Sequence, residues 1–239
     1  RSRNKLISAH QNRRWDGDFM TVRKILEGGL LGRLVEYESH YDRYRNEPRP
    51  GAWRDDVGPG CGILYDLGAH LIDHALVLFG LPVEVAADVR TQREFAKAAD
   101  SFDVVLRYDE LKVTLKATML AREPGPRFLL HGTEGSFVKH GLDPQEDALK
   151  LGRSPASEGW GKEPEERWGT INTQAGGLHL RGRVETCAGR YTDYYHNVAD
   201  AIRGRAELIV KPEEAANTIR VIELALASSA RGCAVPFSP

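Results

Sequence analysis

The chain has 239 residues, with 33 lysines and arginines against 34 aspartates and glutamates and a net charge of -1. Its charges are mixed in sign along the whole length, so the basic footprint that a phosphate backbone requires is missing and nucleic acid is not an expected partner. No apolar run approaches the roughly 20 residues of a membrane helix, the opening lacks the apolar stretch of a secretory signal, and Cys61, Cys187 and Cys233 stand too far apart for a zinc knuckle or a disulfide framework, so the expectation is a globular, cytoplasmic protein with no membrane partner.

At the start, "KLISAH" at 5–10 reads as a strand already under way, with no initiator methionine before it, as in a fragment of a longer chain. The stretch "WDGDFMTVRKILEGGLLG" predicts a helix of about three turns, with Asp16 as N-cap, Phe19, Val22, Ile25 and Leu26 at helical spacing, and Gly28 at C′. "LVEYESHYDRY" alternates, placing Val35, Tyr37, Ser39 and Tyr41 on one face of a strand and Glu36, Glu38, His40 and Asp42 on the other. A Pro- and Gly-rich loop, "EPRPGAWRDDVGPGCG", follows and delivers the chain into the next helix.

That helix, Ile63 to Phe79, opens with "GILYDLGAHLIDH" at 62–74. Leu64, Leu67, Leu71, Ala75 and Leu78 share one face, while Asp66, His70 and Asp73 line another at spacings of four and three. Ionisable groups against an apolar run cost free energy, so the pair needs a reason. It can be structural, with Asp66 capping the first turn and His70 making one buried hydrogen bond. It can be chemical, a carboxylate one turn from an imidazole that swaps protons at neutral pH. A third reading takes Asp66, His70, Asp73 and His74 as metal ligands, although all lie on one helix. The glycine clusters "GGLLG" and "GPGCG" fail as nucleotide loops, because neither sits between a strand and a helix in the required order.

Beyond Gly80 the period becomes two: "VEVAADVR", then "FDVVLRY" and "LKVTLKATML" joined through Asp109 and Glu110, then "RFLLHG" and "SFVKHG" joined through "TEG". Tight connections make these hairpins antiparallel. From Asp143 to Gly177 no period is visible and a long ordered loop is expected. Two helices close the chain, "YTDYYHNVADAIRGR" and "KPEEAANTIRVIELALASSARG", the second with Pro212 in its first turn, Gly232 at its end and a buried stripe of Ala215, Ile219, Ile222 and Leu226. One α+β domain over 1–239 is the simplest organisation: a large, mostly antiparallel open sheet with helices on one face.

Several segments, in order, carry a resemblance: "NRRWDGDF" at 12–19, "WRDD" at 53–56, the G-x-G-x-x-x-D-x-G-x-H-x-x-D stretch from Gly60 to Asp73, "HGTEGSF" at 131–137, and "YYHNVADAI" followed by "KPEEA". With them the chain resembles the C-terminal portion of the glucose-fructose oxidoreductase, inositol dehydrogenase and rhizopine-catabolism (Gfo/Idh/MocA) family. The resemblance implies an α+β domain that follows a dinucleotide-binding Rossmann domain, whose Gly-rich fingerprint and E-K-P lysine have no match in these 239 residues. It implies NAD or NADP as cofactor, bound mainly by that other domain, a sugar, polyol or related hydroxy compound as substrate, and a homo-oligomer formed through the sheet. It implies that His70 exchanges the proton of a substrate hydroxyl and that Asp66 orients it. Asn12 and one of Arg13 or Arg14 match positions near the substrate in relatives, and Trp53 and Tyr195 are further candidates for the substrate pocket. The rival functions are a non-catalytic dimerisation or binding module and a metal-dependent hydrolase or isomerase.

Overall fold

A computed structural model of the chain describes residues 5–48 and 51–237, and of Trp53 the backbone alone. One sheet runs through the molecule: β1 (Leu34–His40), β2 (Glu84–Arg90), β3 (Ser101–Arg107), β4 (Lys112–Thr118), β5 (Phe128–Gly132), β6 (Gly135–Lys139), β7 (Gly169–Ala175), β8 (Leu178–Val184) and the short β9 (Val235–Pro236). Their order across the sheet is β8-β7-β6-β5-β1-β4-β3-β2-β9. Among the described residues, every neighbouring pair is antiparallel except β1 and β4. β1 therefore stitches two antiparallel ribbons together.

Register follows from which side chains must leave water. Tyr37 lies opposite Val113 on one neighbour and Leu130 on the other, and Ser39 opposite Leu115 and Phe128. Continuing outward, Val85, Phe102, Val104, Leu106 and Phe137 point the same way, each at most 1% exposed. Each apolar side chain so buried is worth about 1.5–3 kcal/mol before chain entropy is counted. A one-residue slip would move the whole set to the other face, which pins the register.

Helices α1 (Gly17–Glu27), α2 (Ala69–Phe79) and α5 (Pro212–Arg231) close that face through Phe19, Val22, Leu71, Ile72, Val221 and Ile222. Two further helices are α3 (Gln145–Lys150) and α4 (Thr192–Ile202). β9 pairs with β2 only at Glu84 and Val85. Beyond it, the Ala87 and Val89 N–H groups donate to Ser228 and Ser229 of α5, both at 2.9 Å. These hydroxyls satisfy backbone groups that a sheet edge would otherwise leave open.

The structure corrects several sequence expectations. "KLISAH" forms no strand: Leu6 and Ile7 are exposed, and Ser8 is tied by its hydroxyl to the Val210 carbonyl at 3.0 Å. The first helix ends one residue later than expected, since Gly28 is still right-handed and Gly29, at φ 63°, takes the left-handed turn. Asp16 holds the N-cap position but makes no cap bond; the Gly17 N–H instead donates to Asp143 Oδ2 at 2.7 Å. Residues 143–177 are not one long loop, because they contain α3, a 3₁₀ turn Glu165–Arg167 and β7. The segment is held by Gln145, whose side chain donates to the Trp15 carbonyl and accepts from Trp160 Nε1 and the Tyr191 N–H. On α5 the buried stripe is Thr218, Val221, Ile222, Ala225 and Ser228, while Ile219 and Leu226 face outward.

Candidate active site

Among the pieces of chain that meet at the site are the 3₁₀ turn Asn12–Trp15, the start of the helix at 63, and α3. The turn sends its two arginines in different directions. Arg14 reaches α2 and α5, with Nε and Nη2 on the two Asp73 oxygens at 2.8 and 2.7 Å and Nη1 on Glu214 at 3.0 Å. Arg13 reaches a cavity, where its Nη2 meets Glu146 of α3 at 2.6 Å and its guanidinium lies 4.8 Å from the centre of the Tyr41 ring. The arginine facing the site is therefore Arg13, and Arg14 is a buried strut.

The helix from Ile63 does not begin as a regular α-helix. Leu64–Gly68 is a π-helical turn, and only from Ala69 is the helix α. A π turn carries an extra residue per turn, so the chain departs from regular i, i+4 geometry around Asp66. Asp66 Oδ1 is bound by Arg54 Nε at 2.7 Å, and His70 Nδ1 by Gln11 Oε1 at 2.9 Å. Neither acid of the helix hydrogen-bonds His70 in this structure: Asp66 is paired with Arg54 and Asp73 with Arg14.

His74 is spent on structure. Its Nε2 is 2.9 Å from the Arg13 carbonyl and its ring stacks on Phe19 at 3.8 Å. Burial, then the nearby Arg127, holds it well below the ordinary imidazole range. With Asp73 on Arg14 and His74 against Phe19, the four side chains of the metal reading do not converge, and among the described residues no group of three or more His, Cys, Asp or Glu is placed to hold an ion.

The cavity measures about 580 Å³, within the range of small-molecule sites. Asn12, Arg13, Asp66, His70, Glu146 and Tyr195 all line it. His70 is largely enclosed, and among the described residues its Nε2 has no hydrogen bond. Its pKa is pushed down to about 3, first by burial and then by Arg13, Arg127 and His10, with Glu146 pulling the other way. Glu146 is itself lowered to about 2, because Lys150 and Arg13 outweigh the cost of its burial. The site thus holds a neutral imidazole with one unbonded ring nitrogen, among amide, guanidinium and carboxylate groups suited to hydroxyls. Tyr195, 59% exposed, stands at the rim with its hydroxyl 3.3 Å from His10 Nε2. Trp53 starts a 3₁₀ turn, Trp53–Asp55, but its side chain lies outside the described residues.

Gln11 and Glu146 escaped the sequence reading. Gln11 stands directly before the "NRRW" segment with no pattern to mark it, and α3 is too short, at six residues, to show a helical period.

A family model for the oxidoreductase family, C-terminal alpha/beta domain, matches residues 23–237. The chain is 42% identical over 224 residues to scyllo-inositol 2-dehydrogenase (NADP(+)) of Bacillus subtilis, covering 94% of this chain and 62% of that protein. It is 39% identical over 229 residues to an uncharacterized oxidoreductase of Escherichia coli, covering 96% of this chain and 65% of that protein. A solved oxidoreductase from Bacillus cereus superposes with a TM-score of 0.90 at 34% identity, over 100% of this chain and 79% of that one. The chain thus spans somewhat less than two thirds of the length of these two curated relatives. By its fold, by the order of its motifs and by these matches, the chain belongs to the Gfo/Idh/MocA oxidoreductases, as their C-terminal α/β domain.

Proposed function

We propose that residues 1–239 act as one unit, the substrate-binding and proton-exchanging part of an NAD(P)-dependent dehydrogenase that oxidises a hydroxyl of a sugar, polyol or related compound. The observation that carries this is His70: a neutral imidazole, anchored through Nδ1, with Nε2 unbonded in a polar cavity. The relative that is an inositol dehydrogenase using NADP(+) supports the same class of substrate and leaves NAD or NADP as the cofactor. No residue of this chain is assigned to hold the dinucleotide, which the reading places on a further domain.

The site's donor set fits a nicotinamide partner, since His70 can take a proton while no group of the cavity needs to take electrons. When bound, the nicotinamide supplies the hydride acceptor. The residues here do the rest. Asn12 and Arg13 donate to substrate hydroxyls, Tyr195 closes the rim, and His70 Nε2 accepts the proton of the hydroxyl being oxidised. Asp66, neutralised by Arg54, keeps a carboxylate oxygen at the cavity wall that can accept from a neighbouring hydroxyl.

The test is His70→Ala in the protein carrying its dinucleotide domain. The expected result is a kcat lower by about 10²-fold or more, the usual contribution of a general base, with cofactor affinity unchanged. A variant that turns over at the wild-type rate would return the chain to the reading of a binding or dimerisation module.

A further inference from the structure

An imidazole moves a proton efficiently only if its ring is aimed and its tautomer fixed, and the tautomer is set by the partner of the other nitrogen. For His70 the two acids of its own helix do not do this, being held by Arg54 and Arg14. The partner of Nδ1 is Gln11 Oε1 at 2.9 Å. Gln11 is only 7% exposed, and its backbone is pinned on both sides, its N–H donating to the Ala9 carbonyl at 3.0 Å and its carbonyl accepting from the Arg14 N–H at 3.2 Å. The amide is therefore carried on a fixed support, one residue ahead of the turn that delivers Arg13 to the same cavity.

We propose that Gln11 is the positioning residue of this site: its amide oxygen accepts the Nδ1–H of His70, selects that tautomer and leaves the bare Nε2 facing the substrate hydroxyl. This rests on the reading of His70 as proton acceptor.

The choice of an amide has a chemical consequence. A carboxylate at Gln11 would favour the imidazolium, whereas a neutral acceptor orients the ring without charging it. The groups that face His70 from other elements agree with this. Arg13 comes from the 3₁₀ turn, Arg127 from the segment before β5 and His10 from the leading segment, and all disfavour a positive ring. His74, on its own helix, is held neutral, and Asp66 and Asp73 are each paired. Glu146 of α3 is an anion that acts on the ring the other way, and it is shared between Arg13 and Lys150. A proton taken up by Nε2 during the reaction is consequently held weakly and passed on readily.

Two variants test the assignment, each checked for folding by its melting transition. Histidine-labelled protein is followed by nitrogen NMR across a pH titration, and kcat and KM are measured in the protein with its dinucleotide domain. In Gln11→Met, which keeps the bulk and removes the acceptor, both neutral tautomers of His70 should be populated and kcat should fall about tenfold or more, with KM for the cofactor unchanged. Gln11→Glu should restore the Nδ1–H tautomer and recover kcat, while the His70 titration and the acid limb of kcat/KM both move up by about one pH unit or more. If Gln11→Met does not fold, Gln11→Asn, whose shorter side chain cannot reach Nδ1, takes its place with the same expectations. A wild-type tautomer and wild-type kcat in the acceptor-free variant, or a His70 titration unmoved by Gln11→Glu, overturns the assignment. If the tautomer responds to Gln11 while His70→Ala leaves turnover intact, Gln11 still positions the ring but the reading of His70 as proton acceptor is the part that fails.

Discussion

Arg13 and Arg14 are neighbours in sequence with unrelated tasks, one lining the cavity and the other holding Asp73 and Glu214. Nothing in the letters "RR" separates them; the difference lies in the geometry of a four-residue turn, which points successive side chains to opposite sides. A similar reversal concerns His40, a residue to which the sequence assigns no role. On β1 it sits between Glu38, 2.5 Å from Nε2, and Asp42, 2.9 Å from Nδ1. A neutral imidazole donates from one nitrogen only, so two carboxylates require the charged ring. Burial opposes that charge, but the bonds to Asp42 and Glu38 outweigh it and raise the pKa. Asp42 is lowered, because its bonds to His40 and the Gly125 N–H, with nearby Lys116, outweigh its own burial. A raised folded-state pKa means stability that is fully present below the unfolded value of about 6.5 and lost as pH rises through the folded value. The lowered Asp42 sets the opposite limit, its share being lost as pH falls through its folded value. Urea unfolding of wild type and His40→Gln should therefore show a larger stability gap at pH 6 than at pH 9. An equal gap at both would mean that folding does not raise the His40 pKa.

At the scale of elements, period and punctuation marked most helices and strands, and failed where side chains other than apolar ones decide the face. The strands β2 to β6 and helices α1, α2, α4 and α5 were legible because their apolar residues recur at two or at three and four. The π turn at Leu64–Gly68 was not, because the same letters fit a regular helix. On α5 the expected stripe counted only apolar residues, whereas the helix buries Thr218 and Ser228, each satisfied by a hydroxyl bond, to Glu214 O at 3.2 Å and Cys233 O at 2.7 Å. That turns the helix so that Ile219 is 44% exposed while Ile222 is fully buried. Ile222→Ala should therefore cost about 2–5 kcal/mol, the range for a large aliphatic side chain removed from a core. Ile219→Glu, at a member of the same stripe as read from sequence, should stay within about 0.5 kcal/mol in this chain. The two melting curves decide between the faces, since comparable losses at both positions would restore the stripe as expected.

Across the whole molecule, the antiparallel character of the sheet was legible from its hairpins, but its strand order was not. Pairing between β1 and β4 joins residues far apart in sequence, and no local signal records it. The order matters because it creates an open face. Opposite the helices, register aligns Val105, Thr114, Glu38, Leu129, Val138 and Thr170 in one row across six strands, each half-buried. Ion pairs border the row, Glu84 with Arg107 and Glu36 with Lys112 on one side and Asp103 with Lys116 on the other. A weakly polar centre with a charged rim is the anatomy of a protein interface rather than of a solvated sheet. We expect two copies of the chain to meet there, sheet on sheet, with the rim charges setting how the rows align. Light scattering should then give twice the 26.6 kDa of one chain. The double variant Val105→Lys and Leu129→Lys, which puts two unpaired charges into the centre, should give the monomer mass with its melting temperature little changed beyond the loss of association. A wild-type monomer at every concentration, or a variant that remains a dimer, would mean that the row is covered by something other than a second copy.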